Sequence, residues 1–280
     1  MIDPIFIERD GHRTWFKWHR ARRSAADPEF SGRRILEAMR LGASVEVDLV
    51  IHADHGCAIL HDKVLERATT GRGRVIDTPA AALRQLKLRG NDGAPLDEPV
   101  MLLEDLCALL ASARVHPQAL LQLDFKERRA ALDAATIAAV ADHVAPFARN
   151  MILSGGDAEA VAALAERTPG LATGYDPTPE DLDAADSPQT HAAFAAFTAA
   201  ALDKAPDAAF IYLDYRLILK ADRVGFDMIA AVHAAGRRVD AWTIQAVTEE
   251  TLAAVRRLLD LRVDQITTDD SDTLAARLAA

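Results

Sequence analysis

The sequence predicts a closed (β/α)8 TIM barrel. Short runs rich in β-branched and aromatic residues alternate with alanine- and leucine-rich stretches along the chain, as in parallel sheets whose strands are each followed by a helix. Eight such runs match an eight-stranded barrel. An open doubly wound sheet is the alternative, because strand counts from one sequence are imprecise. The runs lie at 16–19, 44–50, 120–125, 150–154, 171–175, 209–214, 238–244 and 263–268.

The stretches between the runs carry apolar residues at the 3.6-residue spacing of helices. Asp157 and Thr248 stand where helix N-caps belong, and Gly42 and Gly236 stand where helices end. The stretch 178–208, which is rich in alanine and acidic residues, predicts one or two further helices. The apolar positions are Ile35, Leu36 and Met39; Leu132, Ile137 and Val140; Val161 and Leu164; Met228, Ile229 and Val232; and Leu252, Val255 and Leu259.

One connection departs from this alternation. The second run, 44–50, is followed by a turn sequence and then directly by the strand-like run 57–62, which predicts a β-hairpin. With the turn centred at Ala53–Asp54, antiparallel pairing places Glu46 opposite His61, on the same face of the hairpin.

The hairpin is followed by a stretch of different character. Residues 63–100 contain Gly, Pro and Arg with little periodicity, and they predict a small inserted lobe ahead of a helix at 102–112. We expect residues 1–280 to form a single barrel domain with this one insertion, because 280 residues fit one large α/β domain.

Composition limits the function classes. The formal charge of −10 disfavours nucleic-acid binding. No apolar stretch approaches the ~20 residues that span a bilayer, so we expect no stable membrane insertion. Cys57 and Cys107 lack metal-ligand spacing and are too few for a disulfide framework, so a cytoplasmic location is expected. The oligomeric state is left open.

Paired carboxylates on the second run are candidate metal ligands. Glu46 and Asp48 are two residues apart in a strand, so both side chains point to one face. Two desolvated carboxylates repel each other, and a hard cation such as Mg²⁺ or Ca²⁺ would relieve that repulsion. Ordinary solvated acids at the strand end are the alternative. The hairpin adds His61 beside them as a candidate acid or base.

Two further strands end in reactive groups. Asp124 and Lys126 repeat the two-residue spacing on the third run, either as a structural ion pair or as a metal ligand and a cation for a substrate anion. His19 ends the first run and Arg20 follows it. In eight-stranded barrels, active sites form at the carboxyl ends of several strands, so these groups are expected to converge.

An ordered set of motifs resembles the glycerophosphodiester phosphodiesterase family, a branch of the phospholipase-C-like barrels. The resemblance covers roughly residues 15–270, and each motif alone is weak. The matching residues are His19-Arg20-Ala21, Gly42-Ala43, Glu46-Val47-Asp48, His61-Asp62, Leu65-Glu66-Arg67-Ala68-Thr69-Thr70-Gly71, Asp124-Phe125-Lys126, Trp242-Thr243 and Thr268-Asp269.

This resemblance implies metal-dependent hydrolysis of a small glycerophosphodiester-like substrate to an alcohol and a phosphomonoester, with glycerol 3-phosphate expected. An adjacent glycerol hydroxyl would attack phosphorus, and water would then open the cyclic intermediate. The implied residues are Glu46, Asp48 and Asp124 for one Mg²⁺ or Ca²⁺, His19 and His61 as general base and acid, and Arg20 and Lys126 as phosphate contacts.

Two residues at strand ends are secondary candidates for the substrate pocket. Trp242 would form an apolar wall or simply pack in the core, and Asp214 would join the site from the end of its strand.

Several departures mark a divergent member of the family. Ala21 replaces a glycine, Asp124 stands where glutamate is commoner, and Gln245 replaces an asparagine. The Pro-Glu-Asn-Thr motif is reduced to Pro28-Glu29-Phe30-Ser31. With these changes, the substrate need not be an ordinary glycerophosphodiester.

Other substrates and a non-catalytic role are the alternatives. The same site could act on a lipid, as lysophospholipase D-like or sphingomyelinase D-like enzymes do, or it could bind a phosphate ligand without turnover. Six basic residues with few large hydrophobes in the inserted lobe favour a polar, anionic substrate instead: Arg67, Arg72, Arg74, Arg84, Lys87 and Arg89.

Overall fold

A computed structural model describes residues 2–178 and 187–280. Its strands, numbered in chain order, are β1 Ile2–Asp3, β2 Phe6–Arg9, β3 His12–Trp18, β4 Ser44–Ile51, β5 Cys57–Ile59, β6 Lys87–Arg89, β7 Pro95–Pro99, β8 Leu120–Phe125, β9 Met151–Gly155, β10 Ala172–Tyr175, β11 Phe210–Asp214, β12 Arg238–Ile244 and β13 Gln265–Thr268. All eight predicted runs are therefore strands.

The eight predicted strands form a closed parallel barrel. Around the barrel the order is β3, β4, β8, β9, β10, β11, β12 and β13, and β13 pairs with β3 to complete the circle. The barrel prediction is confirmed, and the open doubly wound sheet is wrong because the first and last of these strands are hydrogen-bonded to each other.

Helices surround the barrel. They are α1 Gly32–Leu41, α2 Ala80–Leu83, α3 Leu103–Ala111, α4 Ala134–Val144, α5 Ala158–Ala165, α6 His191–Lys204, α7 Tyr215–Arg223, α8 Met228–Ala234, α9 Glu249–Asp260 and α10 Ser271–Ala279. Of the predicted helical stretch 178–208, residues 179–186 lie outside the described residues. No helix within the described chain has both the length and the apolar character needed to cross a bilayer.

Helix ends follow the predicted chemistry. The side chain of Asp157 accepts hydrogen bonds from the first turn of α5, and Thr248 accepts one from the N–H of Thr251 in α9. Gly42 ends α1 with a left-handed φ of 86°, a conformation that a side chain would strain. These caps fix where the helices begin and end relative to the strands.

The two faces of the barrel wall differ in polarity. Val45, Val47 and Leu49 of β4 are fully buried in the apolar layer between barrel and helices. The intervening residues of β4, Glu46 and Asp48, face the interior together with buried polar groups from other strands. Polar side chains buried in this interior need hydrogen-bonding or charged partners.

The predicted hairpin is present, but its predicted register is wrong by one residue. β4 and β5 pair antiparallel with Leu49 opposite Ile59, and pairing ends there. The loop is closed by a hydrogen bond from the His52 N–H to the Gly56 oxygen, so an odd number of residues separates the strands. His61 therefore lies beyond the ladder and is not paired with Glu46.

Two small additions flank the barrel. β1 and β2 form an antiparallel extension on β3, which was not predicted. Within residues 63–100, β6 and β7 form a separate two-stranded sheet near the short helix α2. This segment is the stretch where the inserted lobe was predicted.

Candidate active site

Three carboxylates meet at the carboxyl end of the barrel. Glu46 and Asp48 come from β4, and Asp124 comes from β8, where it pairs in register with Asp48. One oxygen of each residue lies within 4.8 Å of the other two. Oxygen ligands at this spacing suit a hard divalent cation. The three residues that the sequence singled out as metal ligands are thus brought together.

The charge environment of Asp48 fits a cation. Its side chain is fully buried, and neither oxygen accepts a hydrogen bond from the described residues. Lys126 Nζ lies 2.9 Å from Asp48 Oδ1, and Arg20 Nε lies 3.4 Å from Oδ2. Burial raises the pKa of Asp48, and the negative charge of Glu46 adds to the rise despite Lys126. A bound divalent ion would favour the ionised form.

Lys126 bridges two of the acids. Its Nζ lies 2.5 Å from Asp124 Oδ2, and the Ser154 hydroxyl donates to Asp124 Oδ1 at 2.6 Å. Burial opposes ionisation of Asp124, but the ammonium of Lys126 and these hydrogen bonds outweigh it and lower the pKa of Asp124. Burial also opposes the charge of Lys126, yet the surrounding carboxylates raise the pKa of Lys126 well above its ordinary value.

Each of the two predicted catalytic imidazoles has a carboxylate partner. His19 Nδ1 lies 2.6 Å from Asp269 Oδ1, and His61 Nδ1 lies 2.7 Å from Asp62 Oδ1. A carboxylate can only accept, so Nδ1 carries the proton in both pairs and Nε2 is left for substrate. His61 lies in the loop after β5, and a positive charge on its imidazole would lower the pKa of Asp48.

Glu29 and Arg67 connect Arg20 to Asp62 at the carboxyl end of the barrel. Glu29 Oε1 accepts from Arg20 Nη1 at 2.8 Å, and Arg67 contacts both Glu29 and Asp62. Burial opposes ionisation of Asp62, but the hydrogen bonds from Arg67 and His61 outweigh it and lower the pKa of Asp62 to about 2. Asp62 thus stays a carboxylate across the range in which a histidine titrates.

Asp62, Asp269, Glu29 and Ser154 were not assigned roles from the sequence. Asp62 directly follows His61, and Asp269 ends the final motif of the resemblance. An acid next to a candidate catalytic histidine was therefore an available signal for Asp62. Nothing local in the sequence indicates that Asp269 contacts a residue 250 positions away.

The backbone after His19 is unusual. Arg20 and Ala21 have φ of 49° and 60°, in the left-handed region that favours glycine. Ala21 is fully buried and occupies the position of the family's glycine. Ala21 therefore adopts a left-handed conformation at the position where the family has glycine.

The two secondary candidates differ in placement. Trp242 packs inside the barrel against Ile152, Phe210 and Tyr212, with its Nε1 buried and without a hydrogen-bond partner among the described residues. Asp214 caps α7, and both of its oxygens accept from the Arg216 guanidinium. The structure therefore gives the Asp214 carboxylate helix-end partners and does not bring it to the metal-ligand set.

A cleft of about 520 Å³ is lined in part by Asp269, the carboxylate that binds His19. Arg84 pairs with Asp105 in α3, and Lys87 pairs with Asp97 in the inserted lobe. Only two of the six basic lobe residues line the cleft, so the argument for an anionic substrate rests on fewer charges than the sequence suggested. The lining includes Arg22, Glu29, Arg67, Arg89, Gln245 and Asp269.

A model of the glycerophosphoryl diester phosphodiesterase family matches residues 19–273 of the chain. The chain belongs to this family. The match spans every motif that carried the resemblance, and it identifies the protein as a phosphoric diester hydrolase of this family. No curated protein sequence gives a significant match.

Solved structures from the family share the fold. An Oleispira antarctica phosphodiesterase in complex with the product sn-glycerol-3-phosphate is 20% identical, with a TM-score of 0.67 and coverage of 95% of this chain and 96% of that one. A Parabacteroides distasonis glycerophosphoryl diester phosphodiesterase is 17% identical, with a TM-score of 0.66 and coverage of 98% and 89%. A glycerophosphodiester phosphodiesterase from Agrobacterium tumefaciens is 20% identical, with a TM-score of 0.63 and coverage of 94% and 99%.

Proposed function

We propose that the protein hydrolyses a small glycerophosphodiester to glycerol 3-phosphate and an alcohol, with one Mg²⁺ or Ca²⁺ bound. The observation that carries this proposal is the grouping of Glu46, Asp48 and Asp124 within 4.8 Å at the barrel end that also holds two carboxylate-bound histidines. The sn-glycerol-3-phosphate bound to the Oleispira protein supports the choice of product.

Glu46, Asp48 and Asp124 would hold the ion. When bound, it would supply positive charge to the phosphoryl oxygens as negative charge builds on them. Arg20 and Lys126 lie against the same acids, at 3.4 Å and 2.9 Å from Asp48. Their cationic groups would contact the remaining phosphoryl oxygens and help to neutralise that charge.

The two histidines would move the protons. With Nδ1–H held by Asp269, the free Nε2 of His19 accepts the proton of the attacking glycerol hydroxyl. His61, held by Asp62, donates a proton to the departing alkoxide from its own Nε2. Each transfer would contribute on the order of 10²–10⁴ in rate. Water then opens the cyclic phosphate with the same two groups in reversed roles.

The cleft that Asp269 lines would take the alcohol part of the substrate. Arg67, Arg89 and Gln245 line it, while Trp242 lies within the barrel. A polar lining of this kind suits a small, hydrated head group better than an acyl chain. An enzyme that acts on a lipid would need a large apolar rim, and these lining residues do not form one.

The activity test measures glycerol 3-phosphate released from glycerophosphocholine. We expect release that is abolished by EDTA and restored by Mg²⁺ or Ca²⁺. His19→Ala and His61→Ala should each lower kcat by about 10²-fold or more, because each removes one proton transfer.

His233→Ala is the matched control for this test. His233 Nε2 also binds a carboxylate, Asp264 at 2.8 Å, but that pair joins the end of α8 to the start of β13 at the opposite end of the barrel. The control should keep near-normal kcat. Full activity in EDTA, or in both active-site variants, would contradict the proposed function.

A further inference from the structure

A lysine is buried inside the barrel beneath the acidic cluster. Only 1% of the Lys17 side chain is exposed. Its Nζ lies 3.1 Å from Asp240 Oδ2, 3.7 Å from Glu46 Oε2 and 4.5 Å from the centre of the Tyr212 ring. Burying a lysine is unfavourable unless its charge is compensated. Lys17 has no part in the chemistry proposed above, so its presence calls for another explanation.

A chain of hydrogen bonds leads from Lys17 to a candidate metal ligand. Lys17 Nζ donates to Gln122 Oε1, and Gln122 Nε2 donates to Ser154 Oγ at 2.8 Å. The Ser154 hydroxyl then donates to Asp124 Oδ1 at 2.6 Å. These hydrogen bonds thus link β3 to β8, β8 to β9 and β9 back to β8, underneath the three acids.

The direction of this chain is fixed by chemistry. An ammonium can only donate, so the Gln122 amide must turn its oxygen to Lys17 and its NH₂ to Ser154. Ser154 accepts that NH₂ bond and is left to donate its hydroxyl proton to Asp124. Without Lys17, the amide could rotate by half a turn and the serine proton would lose its defined target.

We propose that Lys17 is a positioning residue for the metal site, acting on Glu46 directly and on Asp124 through Gln122 and Ser154. This inference rests on the metal role proposed for those acids. By binding Asp124 Oδ1, the Ser154 hydroxyl fixes the orientation in which this carboxylate, whose Oδ2 contacts Lys126, would meet the ion. By attracting Glu46, the ammonium limits repulsion among carboxylates that must crowd together before an ion arrives.

The test is Ca²⁺ binding, measured by isothermal titration calorimetry without substrate. Lys17→Met and Ser154→Ala should each raise the Kd about tenfold, the lower end of the effect of removing a group that orients a metal ligand. The double variant should bind no more weakly than Lys17→Met alone, because both changes interrupt one chain.

Thr267→Val is the matched control. Thr267 donates to Asp240 Oδ1 at 2.7 Å, so the change removes a buried hydrogen bond on the far side of Lys17 from Asp124. It should lower the melting temperature and leave the Kd unchanged. Lys17→Met/Asp240→Asn removes both members of the buried ion pair, so it can be tested if Lys17→Met alone does not fold; it too should bind about tenfold more weakly.

The outcomes separate the two proposals. A wild-type protein that binds neither Ca²⁺ nor Mg²⁺ would overturn the proposed metal site itself. A wild-type protein that binds, together with unchanged or tighter binding in the Lys17 variants, would overturn only the positioning role. Fully additive losses in the double variant would overturn the route through Gln122 and Ser154, because they would mean that Lys17 and Ser154 act separately.

Discussion

At the scale of single residues, the candidate site depends on carboxylates that orient other groups. Asp269 holds His19 by its Nδ1, and Asp62 holds His61 in the same way. Such a partner fixes the tautomer and the orientation of an imidazole. Equivalent contacts therefore orient the two histidines to which we assign the roles of general base and general acid.

Replacing the carboxylate that orients His19 should lower the rate of the reaction. We expect Asp269→Asn to reduce kcat on the order of 10²-fold, because the amide can offer its NH₂ to Nδ1 and so favour the wrong tautomer. KM should change much less, since the metal ligands and phosphate contacts are intact. Steady-state kinetics with glycerophosphocholine measure both constants.

Asp264→Asn is the control for this change, because Asp264 binds His233 away from the site. It should leave kcat within a few-fold of the wild type. Equal losses in the two variants would show that Asp269 acts on stability and not on His19.

The grouping of the candidate metal ligands could be predicted from the sequence, because this grouping depends on the spacing of residues within each strand. Glu46 and Asp48 share a strand face, and β8 repeats the pattern at Asp124. The contacts of Lys17 and Asp269 were not predicted, because they join residues 105 and 250 positions apart. Such contacts depend on which strands become neighbours across the barrel, which spacing does not encode. The catalytic roles of His19 and His61 stay predictions.

At the scale of elements, helix starts could be predicted from local chemistry. The Thr248 side chain accepts from the N–H of Thr251, and the Thr251 hydroxyl contacts the Thr248 backbone in return. This reciprocal cap satisfies N–H groups that have no partner within the helix.

Removing this cap should destabilise the protein. We expect Thr248→Ala to lower the free energy of unfolding by about 1 kcal/mol, the usual effect of losing a threonine N-cap. Urea denaturation followed by circular dichroism measures the change. Glu250→Ala, at an exposed position in the first turn of the same helix, should change it by no more than about 0.5 kcal/mol. A cap variant as stable as this control would contradict the assignment.

The hairpin shows where local prediction fails. Its strands were predicted, but the register depends on whether the loop holds an odd or even number of residues. His55 adopts a left-handed φ of 61°, which completes a three-residue loop, and no glycine at that position signals it. The prediction therefore placed His61 in the ladder, whereas it lies in the following loop.

At the scale of the whole molecule, the alternation predicted eight strand positions and their number favoured a barrel, but closure itself rests on the pairing of β13 with β3. The extension formed by β1 and β2 was missed, because strands of two and four residues are too short to give a clear pattern. The division into one domain with an insertion at 63–100 stays a prediction, as does a cytoplasmic location.

A bound ion should stabilise the entire fold. The site is assembled from β4 and β8 and exists only in the folded chain, so a ligand present at 100 times its Kd would add about 2.7 kcal/mol. We expect the melting temperature to rise by several degrees with Ca²⁺ or Mg²⁺ and to fall again with EDTA.

Asp48→Asn is the variant that checks this effect, because it removes one charge from the ligand set and keeps the shape. Calorimetry should show little or no response of this variant to either ion. An equal rise in wild type and variant would mean that the ions bind elsewhere on a chain of charge −10.

The position of β4 in the sheet determines how firmly Glu46 and Asp48 are held. This strand pairs with β3 and β8 in the barrel and with β5 outside it. Unfolding β4 would break its hydrogen bonds to three neighbouring strands at once, so β4 belongs to the part of the protein that opens last. Folding therefore holds the like charges of Glu46 and Asp48 on one face of this strand, and a cation that bound at the proposed site would meet carboxylates whose backbone is already fixed.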